Sequence, residues 1–134
     1  MILLDTHVVF WLVAQPEKLS RAATRAVASA AKAGELLISD ISLWELAALI
    51  EGGRIHVEGS SERFLGAIGD RPDLTVLPIS SEIAVLAARF PRDFPGDPAD
   101  RIIVATARAH AVPLVTRDRR IQDSRLVRTA GIRC

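Results

Sequence analysis

The chain has 134 residues, of which 49% are hydrophobic and 25% are charged, and its formal net charge is +1. This length suits one domain, which we take as residues 1–134, and no apolar run reaches the ~18 residues that a membrane-spanning helix needs. The single cysteine, Cys134, excludes an internal disulfide and a cysteine zinc site, and the N-terminus lacks the basic region of a signal peptide. We therefore expect a cytoplasmic protein that does not enter a membrane.

Short apolar runs and helical stretches alternate along the chain. They predict, in chain order, strand 1–4, helix 8–14, helix 20–33, strand 36–39, helix 41–50, helix 62–68, strand 74–77, helix 80–90, helix 98–111, strand 112–116 and a short fifth strand 126–129. The strands are apolar throughout rather than alternating, as is typical of strands buried on both faces. This pattern predicts an α/β domain with a parallel sheet.

Four acidic residues fall at one end of the predicted sheet. Asp5 directly follows the first strand, and Asp118 follows the fourth strand by two residues. Glu45 lies in the first turns of the helix after the second strand, and Asp100 lies in the first turn of the helix that leads to the fourth strand. Because ligands of such sheets bind outside the carboxyl ends of the strands, we expect these four side chains to share one site.

Clustered carboxylates repel one another and raise one another's pKa unless a cation neutralises them. Ligands that are all oxygen suit Mg²⁺ or Mn²⁺ rather than zinc. Such a site polarises a phosphoryl oxygen and lowers the pKa of bound water, and either one ion or two would serve. The acid pattern therefore indicates a metal-dependent enzyme that acts on phosphate esters.

Each acid also has a structural explanation that the sequence leaves open. Asp5 is placed to cap the following helix, and Glu45 completes a capping box with Ser42. Asp100 suits the dipole at a helix N-terminus, and Asp118 suits a turn.

The ordered set of motifs resembles the PIN domain family, in particular the VapC-type toxins of bacterial type II toxin–antitoxin pairs. The motifs are LLDTHV at 3–8, SLWELA at 42–47, DPADRIIVATA at 97–107 and LVTRD at 114–118. The resemblance spans essentially the whole chain. It implies a three-layer fold with a parallel sheet of about five strands between helices. It also implies Mg²⁺- or Mn²⁺-dependent endonucleolytic cleavage of RNA, homodimerisation and inhibition by a cognate antitoxin.

The resemblance carries roles onto particular residues. Asp5, Glu45, Asp100 and, at the family's more variable fourth position, Asp118 correspond to the catalytic metal ligands. Thr6 and Thr116 correspond to hydroxyls beside the metal or its waters. Asp97 is interpreted as a helix N-cap rather than a ligand. The implied reaction is direct attack of water on the phosphodiester, leaving a 5′-phosphate and a 3′-hydroxyl.

Basic and aromatic residues near these motifs have open roles. Six of the 15 Arg lie between Arg117 and Arg133, which suits either phosphate contacts or a solvated surface. Arg117 and Arg101 are candidate contacts to RNA phosphates, and a salt bridge within its own helix is the alternative for Arg101. Trp11 and Trp44 are interpreted as packing residues rather than platforms for base stacking, because a chain with no Tyr and four Phe is not expected to bind single strands by stacking. A binding module without activity, or another Mg²⁺-dependent phosphohydrolase, remains the alternative function.

Overall fold

The structure, a computed structural model, describes residues 1–129 and 132, so that Arg133 and Cys134 lie outside it. Its sheet has four parallel strands in the order β3-β2-β1-β4. The strands are β1 (Ile2–Leu4), β2 (Leu36–Ser39), β3 (Leu74–Leu77) and β4 (Leu114–Val115). The predicted α/β class and parallel sheet are therefore confirmed.

In the described part of the chain seven α-helices connect and cover the strands, and a side chain of serine or aspartate caps the N-terminus of each. They are α1 (Thr6–Ala14), α2 (Arg21–Lys32), α3 (Asp40–Glu51), α4 (Ser61–Gly69), α5 (Ser81–Arg89), α6 (Pro98–Ala109) and α7 (Arg119–Asp123), with a 3₁₀ turn at Pro16–Lys18. These side chains accept hydrogen bonds from main-chain N–H groups that the first helical turn leaves unpaired. The 3₁₀ turn and α7 were not predicted, because both are too short to show an apolar period.

Helices cover both faces of the sheet, which confirms the three-layer architecture. Leu4 and Ile38 face α1, α2, α3 and α4, whereas Leu3 and Leu37 face α5, α6 and α7. Side chains of successive strand residues point to opposite faces, so a strand with helices on both sides must be apolar at every position. This is the physical reason why the strands show no alternation.

The predicted fifth strand is wrong. Residues 126 and 127 form a bend, and 128 and 129 have no regular structure. Their main-chain contact with β4 is a single hydrogen bond from the Leu114 N–H to the Arg128 carbonyl at 2.8 Å. β4 spans two residues before the chain turns away at Thr116, so its outer edge is too short for a second ladder. Among the described residues the sheet therefore has four strands rather than the about five expected.

The strand order creates a crevice beside β1. From β1 the chain moves outward to β2 and β3, and it then returns to place β4 on the other side of β1. The connections that leave β1 and β4 therefore diverge, which opens a space at the carboxyl ends of these two strands. Asp5 follows β1 and Thr116 follows β4, so both lie at this point.

No helix in the described part of the chain is long and apolar enough to span a membrane.

Candidate functional site

The four predicted acids line one cavity at the carboxyl end of the sheet, which we call the acidic cavity. Its volume is about 150 Å³, and it is lined by Asp5, Thr6, His7, Glu45, Asp97, Asp100, Arg117 and Asp118. Helices α1, α3 and α6 contribute to it, together with the segments that follow β1 and β4 and the residue before α6. Residues more than 110 positions apart therefore meet in one space.

Asp5 is held from two sides. Its Oδ1 accepts a hydrogen bond from the main-chain N–H of Thr6 at 2.8 Å, and its Oδ2 accepts one from the Thr116 hydroxyl at 2.6 Å. The helix-capping role that the sequence left open is therefore present. The Asp5 residue is only 9% exposed, and burial raises the pKa of its carboxyl although both hydrogen bonds act to lower it.

A chain of hydroxyl groups orients Glu45. The Thr6 hydroxyl donates to Glu45 Oε1 at 2.5 Å and also lies 2.9 Å from the Ser42 hydroxyl. Because the single proton of Thr6 is used toward Glu45, Ser42 must donate to Thr6. The N-cap of α3 is Ser39, so Ser42 and Glu45 do not form the capping box that the sequence allowed. Burial, and then the neighbouring carboxylates, raise the pKa of Glu45.

Asp97 and Asp100 form a reciprocal capping box at the start of α6, which confirms the predicted N-cap. Asp97 Oδ1 accepts from the Asp100 N–H at 2.9 Å, and Asp100 Oδ2 accepts from the Asp97 N–H at 3.0 Å. Capping does not remove Asp97 from the site, however. Carboxylate oxygens of Glu45, Asp97 and Asp100 all lie within 4.8 Å of one another. The sequence interpretation of Asp97 as a helix cap rather than a metal ligand therefore describes only part of its position.

The pKa of Asp100 lies well above that of a free aspartate. Burial, together with the charges of Asp5, Asp97 and Glu45, raises its pKa from 3.8 to about 7. Near neutral pH this carboxyl is therefore divided between its charged and protonated forms when no cation is present.

The absence of a side chain at Gly96 leaves room for the carboxylate of Asp100. A Cβ atom at position 96 would lie 2.6 Å from the Cβ of Asp100 and 2.7 Å from its Oδ2. Any side chain there would displace the carboxylate or the capping turn. The sequence analysis missed this residue, because a glycine in a proline-rich loop suggests a turn rather than a close approach.

Asp118 differs from the other acids because a cation already neutralises it. Partial burial acts to raise its pKa, but hydrogen bonds from the side chain and main chain of Arg120 outweigh this effect and keep the pKa low. The shortest side-chain distance is 3.1 Å, from Arg120 Nη2 to Asp118 Oδ2. Asp118 also caps α7, so its interpretation as a turn residue was close to the observed role.

The two candidate arginines occupy different environments. Arg117 lines the acidic cavity, and its guanidinium lies over the Trp11 ring at 5.6 Å. Arg101 instead donates to the carbonyls of Phe90 at 3.0 Å and Pro91 at 2.8 Å, so it ties α6 to the end of α5. It does not line the acidic cavity, and the ion pairs found among residues 1–129 do not include it.

The donor chemistry of the acidic cavity fits a hard divalent cation. Carboxylate oxygens of Glu45, Asp97 and Asp100 converge, and oxygen ligands are those that Mg²⁺ and Mn²⁺ prefer. Burial, and then neighbouring negative charges, raise the pKa of Glu45 and of Asp100, so a bound cation would stabilise their charged forms.

Residues 2–125 match the family model of the PIN domain. The chain belongs to the PIN domain family. This PIN domain is 40% identical over 124 residues to Ribonuclease VapC22 of Mycobacterium tuberculosis, an alignment that covers 92% of each chain. The resemblance stated from the sequence is therefore confirmed.

Solved structures show the same fold. The VapBC2 complex of Rickettsia felis, bound to a DNA fragment from its promoter, matches this PIN domain with a TM-score of 0.71 and 17% identity over 96% of both chains. FitAcB of Neisseria gonorrhoeae matches with a TM-score of 0.61 and 25% identity over 88% of both chains.

The raised pKa of Asp100 predicts an unusual dependence of stability on pH. Its pKa is higher in the folded protein than in the unfolded chain, so its contribution to stability is complete below about pH 4 and is lost as the pH rises through about 7. Asp100→Asn keeps this position neutral, so the midpoint of thermal unfolding of the variant relative to wild type should increase over this range. Calorimetry in EDTA measures it, and a difference that does not change with pH would contradict the raised pKa.

Gly96→Ala should misplace Asp100 and weaken binding of Mn²⁺ by about 10- to 100-fold, the effect expected when support for a ligand is lost. Gly66→Ala is the matched control, because a Cβ at position 66 meets nothing within 4 Å. Isothermal titration calorimetry with both variants measures the affinity. Equal affinities would show that Gly96 has no role in placing the carboxylate.

Proposed function

We propose that this PIN domain is a Mg²⁺- or Mn²⁺-dependent endoribonuclease and the toxin of a type II toxin–antitoxin pair. The observation that carries the proposal is the acidic cavity, in which carboxylates from separate elements converge at the crevice between β1 and β4. The 40% identity to a protein named as a ribonuclease supports the same activity.

Asp5, Glu45 and Asp100 would hold the cation, and Asp118 would act from the other side through a weaker contact or through water. When bound, the cation supplies a Lewis acid that neutralises phosphate charge and lowers the pKa of bound water. One carboxylate outside this set, Asp97, lies close enough to contribute.

The chain's own residues orient the reactants. The hydroxyls of Thr116 and Thr6 lock the carboxylates of Asp5 and Glu45 in place, so that little reorganisation is needed when substrate enters. Arg117 lines the cavity with its guanidinium and would bind a phosphate of the RNA. Asp100, whose pKa is about 7, would release its proton as the cation binds.

The remaining parts of the proposal concern partners and organisation. The solved relatives named above include a VapBC complex, which supports a cognate antitoxin as partner by likeness of fold. We propose that residues 1–134 act as one domain, that the protein forms a homodimer, and that it works in the cytoplasm without a membrane.

The central test is cleavage of structured RNA with Mg²⁺, with Mn²⁺ and with EDTA. Wild type should cleave only with metal. The rates of cleavage by Asp5→Asn, Glu45→Gln and Asp100→Asn should each fall by more than about 10- to 100-fold, which is the loss expected when only a group that supports a ligand is removed. Asp70→Asn is the control, because Asp70 is exposed and lies before β3, at the amino ends of the strands and away from the acidic cavity.

The outcomes separate the alternatives. Cleavage that persists in EDTA or in these variants would rule out the metal site. RNA binding without cleavage under any metal would favour a binding module, and activity confined to small phosphate esters would favour another phosphohydrolase. In bacteria, expression of wild type should arrest growth, whereas Glu45→Gln at the same protein level should not.

Thr116→Val should lower Mn²⁺ affinity and cleavage by about 10- to 100-fold without a change in side-chain shape. Asp5 loses a 2.6 Å hydrogen bond from this hydroxyl, and the Asp118 N–H loses a 3.1 Å hydrogen bond to it. Thr106→Val removes a buried hydroxyl that bonds the Ile102 carbonyl within α6, and it serves as the control. Calorimetry and the cleavage assay should show a loss in the first variant alone. A similar loss in both would mean that Thr116 acts only through stability.

A further inference from the structure

A second cavity adjoins the acidic cavity and has the opposite electrostatic character. It measures about 280 Å³, and its walls include Trp11, Gln15, Lys18, Arg54, His56 and Arg117. We call it the Trp11 cavity. It shares two wall residues, Arg117 and His7, with the acidic cavity, so the two cavities are neighbours.

The charges of the Trp11 cavity suit a polyanion. Three cationic side chains and two imidazoles line it, and its described lining includes no carboxylate. Lys18 and Arg54 are exposed and form no ion pair with the acids of residues 1–129. The carboxylates of the acidic cavity repel phosphate. A phosphodiester chain would therefore be attracted to the cationic side chains beside that cavity.

The ring of Trp11 provides a stacking surface. The guanidinium of Arg117 lies over this ring at 5.6 Å, an arrangement that fixes the two planar groups relative to each other. Aromatic rings and guanidinium planes are the groups on which proteins stack unpaired bases of single-stranded RNA. The sequence interpretation of Trp11 as a packing residue accounts for its half-buried position but not for its place in a cavity wall.

Gln15 adds an unused polar group. Its Oε1 is buried and receives no hydrogen bond from the described residues, although buried acceptors are nearly always paired. Gln15 is the C-cap residue of α1, and it lines the Trp11 cavity. A ligand that brings an N–H group, as every nucleobase does, would supply the missing donor.

We propose that the Trp11 cavity binds one nucleotide of a single-stranded RNA segment next to the phosphate that is cleaved. The base stacks on Trp11 and donates to Gln15, and Lys18 and Arg54 contact the adjoining phosphates. This inference rests on the proposed ribonuclease function and adds the place where the enzyme holds its substrate. An acidic peptide is the competing occupant. Its main-chain N–H groups could also donate to Gln15, but it brings no planar base to stack on the ring of Trp11.

The test measures binding without cleavage. The protein carries Asp100→Asn and Trp44→Phe and is kept in EDTA, so that no reaction occurs and Trp11 is the only source of tryptophan fluorescence. A mixed-sequence RNA hexamer should quench this fluorescence, and a hexaglutamate peptide at equal concentration should not. Quenching by the peptide as strong as that by RNA would overturn the proposal.

Variants then locate the contacts. Lys18→Gln and Arg54→Gln should each weaken RNA binding and reduce the slope of log K against log salt by about 0.7, the value for one phosphate contact with a single strand. Lys32→Gln and Arg108→Gln make the same changes at exposed positions near the amino ends of the strands, away from both cavities. These variants should bind RNA as the parent protein does. Unchanged affinity in both Lys18→Gln and Arg54→Gln would refute the proposed binding site.

Trp11→Leu tests the stacking directly. Binding of a fluorescently labelled hexamer, followed by anisotropy, should weaken about 5- to 150-fold, as expected for the loss of one base-stacking ring. Circular dichroism checks that the variant folds, and the variants of the exposed Lys18 and Arg54 keep the proposal testable if it does not. Because the assay needs neither metal nor cleavage, its failure would leave the proposed activity standing, and absence of cleavage would leave the binding result intact.

Discussion

Carboxylates crowded at the carboxyl end of the sheet repel one another, and the surrounding structure is arranged to tolerate that repulsion. Asp5 is placed by the end of β1, Glu45 by α3 and Asp100 by α6, so none can move away without disturbing an element of the core. Hydroxyls of Thr6 and Thr116 and main-chain N–H groups at helix starts donate to the acids, which stabilises their charged forms. Burial, and then the remaining repulsion between the charges, raise the pKa values of Asp5, Glu45 and Asp100, and a divalent cation would stabilise their charged forms.

The acids do not share the repulsion equally. Asp118 is paired with Arg120 and keeps a low pKa, whereas Asp100 forms no salt bridge within the described part of the chain and its pKa rises to about 7. Cation binding is therefore coupled to loss of a proton at Asp100 more than at Asp118. The neighbouring Trp11 cavity adds the positive charges of Lys18 and Arg54, so in the proposed complex attraction for an RNA strand and repulsion between its phosphates and the acids would be separated in space. Arg117 lines both cavities and links the two functions.

The positions of the principal acids could be predicted because the ends of parallel strands meet at one sheet edge. Other features required coordinates. Asp97 looked like a helix cap, and it is one, but capping uses only part of a carboxylate and leaves an oxygen close to Glu45 and Asp100. Gly96 has no signature of its own, since its role depends on how closely the Asp100 side chain approaches it. The fifth strand failed because a run of suitable residues does not guarantee a partner edge of sufficient length.

The sequence by itself determined the α/β class, the parallel sheet, the family and the acids that follow the strands. These depend on local patterns, namely apolar runs, serine and aspartate caps, and motifs in a set order. Only the tertiary structure decided the state of each acid and its neighbours. It showed that Ser42 supports Thr6 rather than capping a helix, that Arg101 binds carbonyls rather than lining the acidic cavity, and that a basic cavity lies beside the acidic one. These features depend on contacts between residues far apart in the chain, on burial and on the summed field of several charges, none of which a local pattern encodes.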